Sequence, residues 1–167
     1  KETLPTLINT LTTSFSQSAN AVNSEIKYYK GKHGVKVIYE ECLKAKKIRS
    51  YFNAGDLLKI FPENFELFEN AFTNNPALTM YELIESSVDS MEQMTCLKRQ
   101  DKYFYKPLPS DIKLTANDIL IYEGKVAIIN IGNKINVTGV VLSNKDYYNN
   151  SVQLFDLLWR MLPEPKH

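Results

Sequence analysis

The segment 117-NDILIYEGKVAIINIGNKINVTGVVLSN-144 decides how this chain is built. Ile119, Ile121, Val126, Ile128 and Ile131 form short runs rich in β-branched side chains, and Val137 to Leu142 forms another. Gly124-Lys125 and Gly132-Asn133 punctuate them, because Gly and Asn tolerate positive φ. The pattern predicts consecutive strands in a meander. Tyr122, Glu123, Lys125, Asn130, Ser143 and Asn144 lie at short spacing among these apolar runs, and no other stretch combines the two features.

Upstream, the periodicity changes. Val35, Ile38, Tyr39, Cys42, Leu43 and Ala45 fall on one helical face, after a glycine-punctuated turn over residues 30–34 and a short strand over 26–29. Residues 47–52 read as a strand, with Asp56 placed to cap a helix that Pro62 interrupts and Phe65, Leu67, Phe68, Ala71 and Phe72 continue. Residues 78–84 alternate as a strand should, residues 89–97 read as a short helix or loop, and residues 103–105 suit a further strand. After the meander, Asn149 or Asn150 is expected to cap a last helix carrying Val152, Leu154, Phe155, Leu158, Trp159 and Leu162. Strands alternate with helices and then cluster late, which predicts an α/β domain: a mixed sheet flanked by helices.

At the start, Leu4, Leu7, Ile8, Leu11 and Phe15 recur at three- and four-residue steps. So narrow a stripe does not hold a helix alone in water. It must pack on the domain or on a second copy. The expected organisation is therefore a connecting or dimerisation helix over residues 1–25 and an α/β effector domain over residues 26–167.

The 167 residues suit one domain. A net charge of +1 gives no global attraction to nucleic acid or anionic membrane. No apolar run is long enough for a membrane span. Cys42 and Cys96 make no CxxC pair, so a zinc ribbon is excluded and reduced thiols in a cytoplasmic protein are expected. No metal or cofactor is expected. The chain begins at Lys1 without a leader pattern, so it reads as a fragment with upstream residues removed.

From about Tyr29 to Trp159 the order of elements resembles the effector domain of TrmB-type transcriptional regulators. The carrying residues are Tyr29-Lys-Gly31, Gly34-Val35, the Pro62 to Phe72 helix, Leu108-Pro109, Ile121 to Ile129, Gly139-Val140-Val141 and Leu154 to Trp159. The resemblance implies a sensor and dimerisation domain whose DNA-binding winged helix lies outside this chain. That effector domain is in turn similar to one half of a phospholipase D-like fold, whose enzymes carry H-x-K-x4-D followed by a Gly-Ser/Asn element. Laid on this chain, the lysine matches Lys125, with Ser143-Asn144 downstream. Glu123 stands for the histidine nucleophile and Asn130 for the aspartate. A carboxylate cannot replace the imidazole that attacks phosphorus, so no catalytic residue and no enzyme activity is expected.

The resemblance and the rule that open α/β sheets bind at strand ends give an expected ligand groove of Tyr122, Glu123, Lys125, Asn130 and Asn144, with Asn53 and Glu85. Lysine and asparagine can hold an anion or hydroxyls, and glutamate can accept from sugar hydroxyls or an amine. The expected partners are a second copy of the chain, a sugar or anionic metabolite, and DNA only through the missing domain. The alternatives are a degenerate phosphodiesterase or nuclease and a purely structural interaction module.

Overall fold

The computed structural model describes residues 24–54, 57–87, 101–131 and 136–165. Leu4, Leu7, Ile8, Leu11 and Phe15 lie outside the described residues, as do Asp56, residues 89–97 and Gly132-Asn133. The elements run β1 (Glu25–Lys30), α1 (Gly31–Cys42), β2 (Lys47–Phe52), α2 (Leu57–Ile60), α3 (Asn64–Asn74), β3 (Thr79–Ile84), β4 (Tyr103–Pro107), β5 (Asp118–Tyr122), β6 (Lys125–Ile131), β7 (Val137–Ser143) and α4 (Lys145–Met161).

The strands form one mixed seven-stranded sheet in the order β1-β7-β6-β5-β2-β3-β4. The β5-β6-β7 meander is antiparallel and contiguous, as its sequence predicts. β2, β3 and β4 pair in parallel, while β1 returns from the start of the chain to pair antiparallel with β7. Because side chains alternate across a strand, β5 sends Asp118, Leu120 and Tyr122 to one face and Ile119 and Ile121 to the other. The first face packs under α1, α2 and α3: Val35, Ile38, Tyr39, Leu57, Phe61 and Phe68 meet Ile48, Phe52, Met80, Leu120 and Ile129. The second face packs under α4, where Phe155 and Trp159 meet Leu83, Ile121, Val126 and Tyr81.

Gly139 on β7 lies where α1 crosses the sheet, and a Cβ there would run into the buried Ile38 side chain. A glycine at that position sets how closely α1 approaches.

Two helices start earlier than the sequence suggested. α1 begins at Gly31, inside the expected turn, because Gly31 accepts a positive φ directly after β1. α4 begins at Lys145 rather than near Asn150. Asn144 is its N-cap, its Oδ1 accepting from the Tyr147 backbone N–H at 2.7 Å. No helix of the described residues is long and apolar enough to cross a membrane.

Candidate functional site

Tyr122 pairs with Lys125 across the β5–β6 hairpin, so Glu123 and Gly124 are the two loop residues. Both have positive φ, 38° and 81°, as a type I′ turn requires. Asparagine or glycine normally fills the first position. Glu123 is the one non-glycine residue with positive φ among the described residues, so its backbone is held against an intrinsic preference. Its carboxylate reaches across the loop to accept from the Lys46 backbone N–H at 3.3 Å.

Behind this turn, Lys125 forms an ion pair with Glu41 at the end of α1, both side chains about one-third exposed. Tyr122 points the same way, and its buried hydroxyl has no hydrogen-bond partner among the described residues. Burial, with the Glu41 charge second, raises its pKa, so it is a neutral donor and acceptor. Ser143 lies opposite Lys125 in the β6–β7 ladder, and the next residue, Asn144, donates to Ser24 Oγ at 2.6 Å. Tyr122, Glu123, Lys125, Ser143 and Asn144 therefore meet at one end of the sheet. Glu41, which the sequence reading did not single out, completes the group. No periodicity marks it; it is one of two adjacent glutamates on a surface helix.

The other expected groove residues are at the opposite end. Asn130 is exposed, five residues along β6 from Lys125, which at strand spacing is about 17 Å. Asn53 follows β2 and donates to Leu114 O at 2.9 Å; Glu85 follows β3 and accepts from Leu114 N at 2.8 Å. With Asn117, which donates to Asn53 O and accepts from Ile131 N, they anchor the loop that leads into β5. The expected single groove is two sites, because the parallel strands β2 and β3 end where β6 ends, not where it begins.

A third polar group lies inside the core. Ser50 donates to Asp118 Oδ1 at 2.9 Å and Tyr39 to Oδ2 at 3.3 Å, while Tyr103 donates to Glu82. Asp118 and Glu82 are 2% and 4% exposed, with no cation paired to them among the described residues. Burial pushes the Glu82 carboxyl up to about 7 despite the Tyr103 and Ser50 hydrogen bonds. Burial, with the neighbouring Glu82 second, raises Asp118 well above the usual carboxylate range. Its place in an alternating strand buried on both faces was the available signal.

No family model matches the sequence, and no curated protein matches it. Solved structures do. Nuc from Salmonella typhimurium, a phospholipase D family member, superposes with a TM-score of 0.62 at 12% identity, over 86% of this chain and 99% of Nuc. NucT from Helicobacter pylori gives 0.61 at 7% identity, over 85% and 99%. TrmBL2, an archaeal chromatin protein with a novel mode of DNA binding, gives 0.57 at 11% identity, over 83% of this chain. The match covers 53% of TrmBL2, about half its length. The chain thus has the phospholipase D-like α/β fold, shared with a TrmB-like protein. One expectation is corrected here. The absence of enzyme activity was argued from Glu123 and Asn130 alone, yet Nuc, a phospholipase D family member, shares this fold over 99% of its length. Two residue identities therefore do not show that activity is absent.

Proposed function

We propose that this chain is the ligand-sensing and pairing part of a cytoplasmic TrmB-type transcription regulator, reaching DNA through a domain beyond this sequence. Residues 1–25 would connect the two, with Leu4, Leu7, Ile8, Leu11 and Phe15 packing in the dimer. The observation that carries the sensing reading is the Lys125–Glu41 ion pair beside the unpartnered Tyr122 hydroxyl, at a turn strained at Glu123. A one-third-exposed cation, an acceptor and a hydroxyl unpartnered among the described residues suit a small molecule bearing hydroxyls or a negative charge. Asn144 lies beside them but is engaged by Tyr147 and Ser24; Asn53, Glu85 and Asn130 belong to the far end and form no part of this site.

The same geometry supplies a route for the signal. An anion that takes Lys125 releases Glu41, and Glu41 is on α1. That helix packs on β7 and follows β1 without a break. A ligand that binds one pose of α1 better than another shifts the population toward it. The test is a thermal-shift series with inorganic phosphate, a disaccharide, a sugar phosphate and AMP, because a ligand for the folded state raises the melting temperature. A shift that is lost in Lys125→Ala supports the site. A shift that survives it places binding elsewhere.

A second reading, phosphodiester chemistry at this same sheet end, is favoured by the whole-length superposition on Nuc. Turnover of a generic phosphodiester, abolished in Lys125→Ala, would establish it.

A further inference from the structure

We infer that α4 is the surface on which two copies of this chain pair, its outer stripe meeting the same stripe of the second copy antiparallel. The inference rests on the proposal that the domain pairs and assigns a described surface to it. α4 is apolar on two sides. Its inner side, with Tyr148, Val152, Phe155, Trp159 and Leu162, packs on the sheet. Its outer side carries Tyr147, Leu154, Leu157, Leu158 and Met161, which are 47%, 61%, 46%, 39% and 72% exposed. Leu154, Leu157, Leu158 and Met161 follow one another at helical spacing, and Tyr147 lies on the same side two turns earlier, with Asn150 and Ser151 between. A solvated helix would carry charge there. Instead the charged groups Asp156 and Arg160 are turned aside, Asp156 into a bidentate pair with Arg49 and Arg160 onto its own helix backbone.

The occupant follows from area, register and charge. The exposed parts of those five side chains come to about 500 Å², so a two-fold pair covers about 1,000 Å² before its rim is counted, the threshold for a specific interface. Tyr147 and Met161 are each seven residues from Leu154. An antiparallel pair crossing at Leu154 therefore sets Leu154 on Leu154 of the other copy and Tyr147 on Met161, the isologous part of the contact, with Leu157 and Leu158 beside Ser151 and Asn150 of the other copy. It also brings the first turn, with Asp146, beside the last turn of the other copy, with Arg160, and it opposes the two helix dipoles. Ile26 and Tyr28 are 71% and 64% exposed on the same face of the sheet.

The experiment uses the full chain. Sedimentation velocity gives its oligomeric state, and Leu154→Cys is oxidised and run on a non-reducing gel beside the parent chain, which controls for Cys42 and Cys96. The expected result is a dimeric parent and a disulfide-linked dimer formed only by Leu154→Cys. A dimer that does not cross-link at this position overturns the α4 contact and leaves pairing in place. A monomeric parent overturns both. Leu154→Asp, at a solvent-facing position that leaves the far-UV circular dichroism unchanged, should weaken the dimer at least tenfold; an unweakened dimer overturns the inference.

Discussion

Glu82→Gln should change how the stability of this protein depends on pH. Glu82 lies inside the sheet face covered by α1 to α3, accepts from Tyr103, and has its carboxyl pushed up to about 7 from an ordinary 4.5. In the unfolded chain that carboxyl ionises near its ordinary value. Below about pH 4.5 it is neutral in both states and costs nothing. As pH rises from there to 7, the unfolded chain releases the proton while the folded core retains it, so stability falls, and it levels off above 7. The gap between the two values corresponds to about 3 kcal/mol, a large share of a typical domain's stability. Glutamine keeps the volume and an acceptor for Tyr103 but cannot ionise. Urea denaturation at pH 5, 6, 7 and 8 should show Glu82→Gln more stable than the parent by about 3 kcal/mol at pH 8 and by less than about 1 kcal/mol at pH 5. Part of the slope should persist, because Asp118 is also raised. Equal slopes in the two proteins, or a glutamine variant less stable at pH 8, would refute the reasoning.

Gly139→Ala forces a methyl against buried Ile38 and should cost about 1–3 kcal/mol in urea denaturation. Asp156→Ala removes the bidentate partner of Arg49, whose guanidinium is only 10% exposed, at 2.7 and 2.9 Å. The loss should be about 2 kcal/mol, with a smaller loss in Asp156→Asn, which keeps an acceptor. Glu123→Asn places a residue that favours positive φ at the turn and should stabilise the fold by about 0.5–1 kcal/mol; a melting temperature below that of the parent would mean that the Lys46 contact outweighs the strain.

The meander was legible because Ile119, Ile121, Val126 and Ile128 are β-branched and Gly124 breaks them where the chain reverses. The helical faces of α1 and α3 were legible for the same kind of reason: a three- to four-residue period survives in the composition. The beginnings of helices were harder. Gly31 reads as a turn residue until its positive φ is seen to start a helix, and Asn144 was credited to a ligand although its side chain caps α4. The site was half legible. Tyr122, Glu123 and Lys125 adjoin one hairpin, so proximity in sequence is proximity in space. Asn53, Glu85 and Asn130 share the property of ending strands, but which end of the sheet a strand reaches depends on its direction, and direction follows from pairing between distant segments. Asp118 and Glu82 escaped notice because a carboxylate in a strand is ordinarily a surface residue; only burial on both faces of the sheet makes them core groups.

The most direct measurement is the melting temperature of the parent, Lys125→Ala and Tyr122→Phe with inorganic phosphate, a disaccharide, a sugar phosphate and AMP. A sensing site at the β5–β6 hairpin predicts that at least one of these compounds raises the parent's melting temperature, by less in Tyr122→Phe and not at all in Lys125→Ala. An equal rise in all three proteins, or no rise with any compound, would contradict it.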